Sequence, residues 1–586
     1  MIDTARKATA ALMSGRKPVF YASALIGLAA GAAALIMKAL VHAVSAAGSG
    51  LVEAVGWPLL RYALPLVGIA LTTVFTRYVI RDDIGHGVAK VLKARARDKG
   101  DIAPHNMYSS IIGCSLTVGF GGSVGLEAPV MYTGSAIGSN VARLLRLDAK
   151  TKTILVGCGS AAAVAAIYKA PIAGIVFALE VLMIDSTPGN KLPIIVSSMI
   201  GALVSMLATG TGVSYSFAVH DSLNLAGLPY YVGLGAFCGL LALHLHKTSK
   251  AMETLLKRAA SPWLKAAIGG LGVGLLAALL PPLFGEGSWA LEAVLSGRPF
   301  DALAGDPFGA GLPSDRRLLL FFAAVLVVKP VAAGLTTGAG GVGGVFAPSL
   351  FMGGIAGSLF ARAARLLGAA SVSEANFALT GMAALLSALM HAPLTGIFLI
   401  AELTGGYELF VPLMIASASA YGVHRAFSAH SIYTEDLAAE NALVTWDKDA
   451  AVLLELDPYA LVDEKAPRVS PREPLSSIRR LLAERPAYLL AVVDEAGAYL
   501  GDLRFDDIRP LLFDDASGAR EAGEFATKDP KTLGLGLRPA EVLDSLDDAR
   551  DGALPVVDGR GTFLGYLWRE AALNEYRRLM IAMTKD

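Results

Sequence analysis

A nine-residue stretch, GGSVGLEAP at Gly121–Pro129, returns 219 residues later as GGVGGVFAP at Gly340–Pro348. The correspondence runs on through Gly138-Ser139 against Gly357-Ser358 and Ala142-Arg143 against Ala361-Arg362. A second block, APIAGIVFALE at Ala170–Glu180, returns as APLTGIFLIAE at Ala392–Glu402, an offset of 222. Two separate blocks at nearly one spacing mark a duplicated architecture. Close helix packing alone also favours recurrent glycine, but Gly-Gly-x-x-Gly followed by Ala-Pro exceeds what packing asks for. The surroundings settle the solvent: the 586 residues are 54% hydrophobic and 17% charged, against about 25% charged in ordinary soluble domains. Short, Gly/Pro-broken apolar segments in matching positions of two halves point to broken helices around a site near the membrane midplane.

Only one copy of the repeat carries an acid. Glu127 stands among glycines two residues before Pro129, and proline suits the first helical position. A helix start offers N–H groups and a dipole that favour negative charge, and a carboxylate at bilayer depth is expensive enough to need a task. The expectation is an anion site shared with Glu127.

Arg6, Lys7, Arg16 and Lys17 precede an apolar run from about Val19 to Val44, too long for a signal-peptide core. Trp57 to Ile80 makes a second span, and the basic stretch Arg81–Lys99 follows. Basic flanks separated by two spans place both in the cytoplasm by the positive-inside rule. Further apolar segments run from Met107 to Ala208, Pro229 to His246, Ala266 to Leu283 and Leu318 to Phe427, with Glu286–Arg317 expected as a polar loop between halves. The division is a cytoplasmic N-terminus (1–17), a transmembrane domain (18–436, halves about 57–246 and 266–427) and a soluble cytoplasmic tail (447–586). Cys114, Cys158 and Cys238 lie in apolar stretches without ligand spacing and read as packed thiols. No metal site is expected, and zero net charge argues against nucleic-acid binding.

The tail is itself duplicated. AVVDEAGAYLG at Ala491–Gly501 recurs as PVVDGRGTFLG at Pro555–Gly565, each reading strand, turn, strand, then a helix (Asp506–Leu512 and Arg569–Leu579). Two units of about 460–513 and 525–580 make one paired α+β module.

At these motifs the chain resembles the CLC family of chloride channels and chloride/proton antiporters, and its tail resembles the paired cystathionine-β-synthase (CBS) domains of many members. The family's Gly-x-Glu-Gly-Pro, with its gating glutamate, matches Gly125-Leu126-Glu127-Ala128-Pro129, with Ala128 in place of glycine. Gly-x-Phe-x-Pro matches Gly344-Val345-Phe346-Ala347-Pro348. Gly-Ser-Gly-Ile-Pro matches Gly85-His86-Gly87-Val88-Ala89 loosely, with His86 replacing the anion-coordinating serine, and the family's site-closing tyrosine matches Tyr433.

The resemblance implies an all-α polytopic membrane domain with an inverted repeat and broken helices, followed by an α+β cytoplasmic CBS pair. It implies a homodimer in the bilayer with one anion pathway per subunit. Gly85, His86, Gly87, Gly125, Leu126, Val345, Phe346 and Tyr433 would coordinate a dehydrated chloride, largely through backbone N–H groups that attract the ion without trapping it. Glu127 as carboxylate would occupy an anion site; protonated or displaced by chloride, it would swing aside. Family antiporters often carry an inner proton glutamate after the Phe-x-x-Glu motif, here Phe177–Glu180, where this chain has Val181. Valine relays no proton, which favours a passive, pH-sensitive channel over an antiporter.

His86 and Lys169, which stands where the family usually has asparagine, are candidate pH or anion modulators. The alternative is an imidazole turned aside and a lysine snorkelling to water. Glu180 and Glu402 occupy equivalent repeat positions and read as structural, capping or pairing, rather than as transport residues. Asp506 and Asp507 could hold the ribose of ATP or another adenine nucleotide, which the second unit's Arg569-Glu570 does not repeat. No cofactor and no enzymatic activity are expected. The third reading is a membrane-anchored nucleotide sensor without transport. A bacterial plasma (inner) membrane, with both termini cytoplasmic, fits the compact loops.

Overall fold

The computed structural model describes residues 17–85, 87–184, 188–210, 212, 227–303, 314–368, 372–405, 407–440, 452–453, 456–527 and 531–584. It divides into two compact units, Met1–Val444 and Thr445–Asp586.

The first unit is helical. Among the described residues, seven helices are long and apolar enough to cross a membrane, while Ser109–Gly119, Pro171–Glu180, Glu374–Met390 and Pro393–Thr404 are shorter apolar helices. At 1.5 Å per residue, the helix Pro171–Glu180 reaches only about half of a hydrocarbon core roughly 30 Å thick. Its ends must therefore be satisfied by protein rather than lipid. The second span is not uniform. A 3₁₀ turn (Pro58–Ala63) leads into the helix Leu64–Val74, which widens to a π turn (Phe75–Ile80) and ends at Arg81 in the left-handed region.

The two halves pack alike. The helix Lys17–Val55 lies on Pro188–Thr209, Ala149–Tyr168 and Ser109–Gly119; Leu228–Lys257 lies on Phe410–Phe427, Glu374–Met390 and Ser314–Gly338. Glycine sets the closest approach in both. A Cβ on Gly27 would come within 2.6 Å of Ser197 O, and one on Gly235 within 2.5 Å of Ala416 O. By these contacts the helix Lys17–Val55 packs within one set of helices and Leu228–Lys257 within the other. Hydropathy finds spans but carries no record of which span packs on which.

The stretch Glu286–Arg317 is not simply a loop. It contains the helix Ser288–Leu295 with Ala290, Leu291 and Val294 buried, and a 3₁₀ turn at Pro299–Leu303. Its charged and Gly/Pro residues mask a short apolar face. The three cysteines are free and buried, as expected for packed thiols.

The second unit holds two copies of one plan. The first runs strand Arg468–Val469, helix Leu475–Glu484, strands Leu489–Val493 and Tyr499–Arg504, and helix Phe505–Leu512. The second runs Leu533–Gly534, Pro539–Asp547, Ala553–Val557, Phe563–Trp568 and Arg569–Thr584. In each, the first strand pairs parallel to the second and the second antiparallel to the third. The copies share a core of Leu489, Ala491, Ala553, Phe563 and Tyr566. Tyr566 and Tyr499 both donate to Asp502 Oδ1, so an acid of one copy is held by a hydroxyl of the other.

Candidate anion site

The repeated glycine turns meet. Gly125 N–H donates to Gly344 O at 2.8 Å, and Gly344 N–H returns the bond to Gly125 O at 3.0 Å. Around this bridge each turn reaches into the other half: Ser123 N–H donates to Thr336 Oγ1 (3.1 Å) and Val342 N–H to Thr117 Oγ1 (3.0 Å). Gly121 (φ +94°) and Gly340 (φ +100°) make the same left-handed bend, which other residues rarely adopt. Reciprocal contacts between equivalent residues are what a two-fold axis between halves produces. The repeat is inverted, and its axis passes through the glycine clasp.

Two helices leave the clasp, Glu127–Leu144 and Phe346–Leu366, the first opening on an acid and the second on an aromatic at the aligned position. Pro129 is the third helical residue rather than the first. The first turn tolerates it there because its N–H groups have no intrahelical partners. Glu127, only 6% exposed, turns its carboxylate back over the clasp. Its Oε1 accepts from Tyr168 Oη at 2.5 Å, and its Oε2 accepts from Ala347 N–H, in the first turn of the other half's helix, at 3.3 Å. Gly125 must be glycine for this, since a Cβ there would lie 2.3 Å from Glu127 Oε2. Phe346, buried at 2%, stacks on Tyr168 with ring centroids 5.6 Å apart and leans on Phe177 at 6.4 Å. The acid is thus held by the opposite half's helix start and by a tyrosine braced on its own repeat partner.

Tyr433 opens on a cleft also lined by Ala128, Gly344, Val345, Lys250 and Asp436. Its hydroxyl is buried without a protein hydrogen-bond partner, a donor open to an anion. Gly85 borders a second, larger cavity of about 940 Å³, lined also by Arg81, Lys257, Lys265 and Gly341. Gly85 N–H donates to Asp83 Oδ1 at 3.0 Å. Gly87 begins the helix Gly87–Arg97 and packs so close to Ala128 O that a Cβ would come to 2.5 Å. His86 lies outside the described residues. The structure therefore brings Glu127, Gly125, Leu126, Val345 and Phe346 together at the clasp, with Tyr433 on the cleft beside Val345. Gly85 is placed on a separate wall.

Lys169 ends the helix Ala149–Tyr168 in the left-handed region (φ 56°), and Nζ donates to Gly210 O (2.8 Å) and Gly212 O (3.2 Å). Left-handed backbone there explains why asparagine suits the position. Val181 is buried and closes the helix Pro171–Glu180. Glu180 accepts from Leu394 N–H (3.1 Å) and Thr395 N–H (2.7 Å), while Glu402 accepts from Ile172 N–H (2.9 Å) and Ala173 N–H (2.7 Å). Each half-helix is capped by the acid ending the other, which satisfies the orphan N–H groups of a helix too short to reach water. In the tail, Asp506 accepts from Tyr488 Oη at 2.9 Å and Asp507 stands 4.0 Å from Arg504. Among the described residues no group of three or more His, Cys, Asp or Glu could hold a metal.

Three site residues escaped sequence reasoning. Tyr168 ends an apolar helix and carried no motif. Glu286 sat in a presumed loop, yet its Oε1 accepts from Leu126 N–H at 3.2 Å. Lys329 is fully buried and donates to Ser123 Oγ at 2.9 Å. A lysine within an apolar span was itself a signal. Farther off, His391 Nε2 meets His424 Nδ1 at 2.9 Å. His424 stacks at 5.7 Å on His246, which reaches Glu435 Oε2 at 2.8 Å.

A family model described as "Voltage gated chloride channel" matches residues 67–425. A putative chloride channel protein ClcB-like of Ralstonia nicotianae is 30% identical over 385 residues, covering 64% of this chain and 85% of that protein. The chloride channel protein CLC-e of Arabidopsis thaliana is 29% identical over 376 residues, covering 60% of this chain and half of that protein. Among solved structures, a slow cyanobacterial Cl⁻/H⁺ antiporter superposes with a TM-score of 0.62 at 22% identity, covering 73% of this chain and 99% of its own. A eukaryotic CLC transporter gives 0.60 at 17%, covering 94% and 97%. At these identities the superpositions speak for the fold alone. With the family match spanning most of the helical unit, and the inverted clasp on the page, the chain belongs to the voltage-gated chloride channel (CLC) family.

Proposed function

We propose that this chain is a passive chloride channel gated by Glu127, with one pathway per subunit of a homodimer in the bacterial plasma membrane and both termini cytoplasmic. The observation that carries the reading is the Glu127 carboxylate on Ala347 N–H. An anionic side chain there stands on a donor that a passing chloride needs, so chloride and carboxylate compete. Protonating Glu127 removes the competitor, and external acid should raise conductance. Leu126, Val345 and Phe346 line the clasp, Tyr433 supplies a hydroxyl, and Gly85 and Gly87 flank the approach, with His86 between them in the sequence as a candidate anion contact. Val181 supports passive conduction. We propose no enzymatic activity and no cofactor. The tail reads as a CBS pair, with Asp506 and Asp507 as its candidate nucleotide contacts.

The test is chloride efflux from liposomes at several external pH values. Glu127→Gln should remove the pH dependence and conduct as wild type does in acid; a variant that keeps wild-type gating would sink the reading. The second reading, chloride/proton antiport, is favoured by two hydrogen-bonded pairs, His391–His424 and His246–Glu435, joined by stacking of His424 on His246, which gather protonatable side chains in the same unit. Reversal potentials in a chloride gradient, with and without a pH gradient, separate the two: a fixed dependence on the proton gradient means antiport.

A further inference from the structure

Glu286 lies on the turn before the helix Ser288–Leu295, outside the two repeated sequence blocks, yet it reaches the clasp. Gly285 N–H donates to Gly121 O at 3.0 Å, and the Phe284 ring fills the space where a Cβ on Gly121 would stand, 2.3 Å away. The turn is thereby pinned to the first glycine loop. From it the Glu286 side chain presents Oε1 to Leu126 N–H at 3.2 Å. Beneath, Lys329 Nζ donates to Ser123 Oγ, to Gly285 O (3.0 Å) and to Glu286 O (3.4 Å), and sits 5.0 Å above the Phe351 ring.

Two carboxylates thus stand on the two helix starts of one clasp. Glu127 takes Ala347 N–H of the second half, and Glu286 takes Leu126 N–H of the first. The grips differ in number rather than length: both exceed the about 2.7–2.9 Å that charge-assisted N–H···O⁻ bonds favour, at 3.3 Å for Glu127 and 3.2 Å for the Glu286 contact. The latter is the side chain's only hydrogen bond on this helix start, whereas Glu127 is held by Tyr168 as well. Glu286 is partly buried, between Gly285 and Gly287. The charged groups acting on it are Glu127, Lys329 and Lys38. Lys329, fully buried, holds the turn from beneath and sets a hydrogen-bond donor group close to the place that a carboxylate or an anion would take.

We propose that Glu286 is a second anion-competing acid in the pathway: its carboxylate occupies the Leu126 N–H until chloride displaces it, while Lys329 keeps the vacated position favourable to an anion. This rests on the anion pathway proposed above, and adds to it a residue outside the recurrent motifs.

The experiment measures chloride binding by calorimetry on the purified full-length protein, and chloride efflux from liposomes, for wild type, Glu286→Gln and Glu286→Asp. Glutamine keeps the shape but loses the charge; aspartate is too short to hold Leu126 N–H from the same turn. Both should bind chloride about tenfold more tightly, the factor expected when a charge-assisted contact becomes a neutral or absent one. Both should also reach half-maximal efflux at correspondingly lower chloride. A merely structural cap would leave chloride affinity unchanged or weaken it, and that result in either folded variant overturns the proposal. Loss of folded protein in both variants also overturns it, by assigning Glu286 to stability. A wild-type chain that passes no chloride would instead remove the pathway itself, whatever Glu286 does.

Discussion

The two halves of the membrane unit build the same turn on three shared glycines and differ in charge at one residue. In the first half the helix opens with Glu127, in the second with Phe346. The backbone around them is reciprocal down to paired hydrogen bonds, so the clasp alone would treat the two sides alike. The difference lies in what each side chain does with the other half's donors. Glu127 reaches across to Ala347 N–H, while Phe346 reaches across to stack on Tyr168, the tyrosine that holds Glu127. Duplication supplies two helix starts facing one point; the Glu127/Phe346 difference gives one an acid, the proposed competitor for the anion, and the other an aromatic wall. The tail repeats the device on a smaller scale, with Asp502 of one copy gripped by Tyr566, its equivalent in the other.

The comparison can be broken most forcefully at the clasp. Removing the gate in Glu127→Gln should abolish pH-dependent efflux, the largest functional effect expected. Next come the reciprocal caps. Glu180→Ala and Glu402→Ala each strip two N–H groups of a charged acceptor, and each should cost about 2–4 kcal/mol of stability in thermal unfolding. Matching losses would show that the two-fold axis is energetic as well as geometric; a loss confined to one variant would break it. A smaller effect is expected from Tyr168→Phe. The variant keeps the stacking on Phe346 but removes one hydrogen bond to the carboxylate, worth about 1.5–3 kcal/mol. The efflux midpoint should move without loss of the pH dependence.

The smallest effect sharpens the comparison with the tail. Burial raises the Asp502 carboxyl above its ordinary range, against the hydrogen bonds from Tyr499 and Tyr566. A carboxyl that binds its proton more tightly when folded makes the fold less stable as pH rises from its unfolded value through the raised one. Asp502→Asn should remove that decline. Hydrogen exchange at Ala553–Val557 and Phe563–Trp568, followed between acidic and neutral pH, reads it; an unchanged pH profile would show that the two tyrosines fully offset burial.

How much of this was legible depended on distance along the chain. Both duplications, the acid on one copy and the structural roles of Glu180 and Glu402 follow from local motifs and their spacing. The helix Ser288–Leu295 and the contacts of Tyr168, Glu286 and Lys329 at the clasp did not. Each depends on which elements pack together, and hydropathy is blind to partner choice.

The sequence by itself determined that this chain is a duplicated membrane protein with one acid among glycines at a helix start, because composition and repeat spacing are properties of the chain alone. Only the tertiary structure decided which donors that acid meets, and that a second acid meets another. A helix start presents its N–H groups to whatever the fold brings near, and here the fold brings Ala347 to Glu127 and Glu286, 160 residues along the chain, to Leu126.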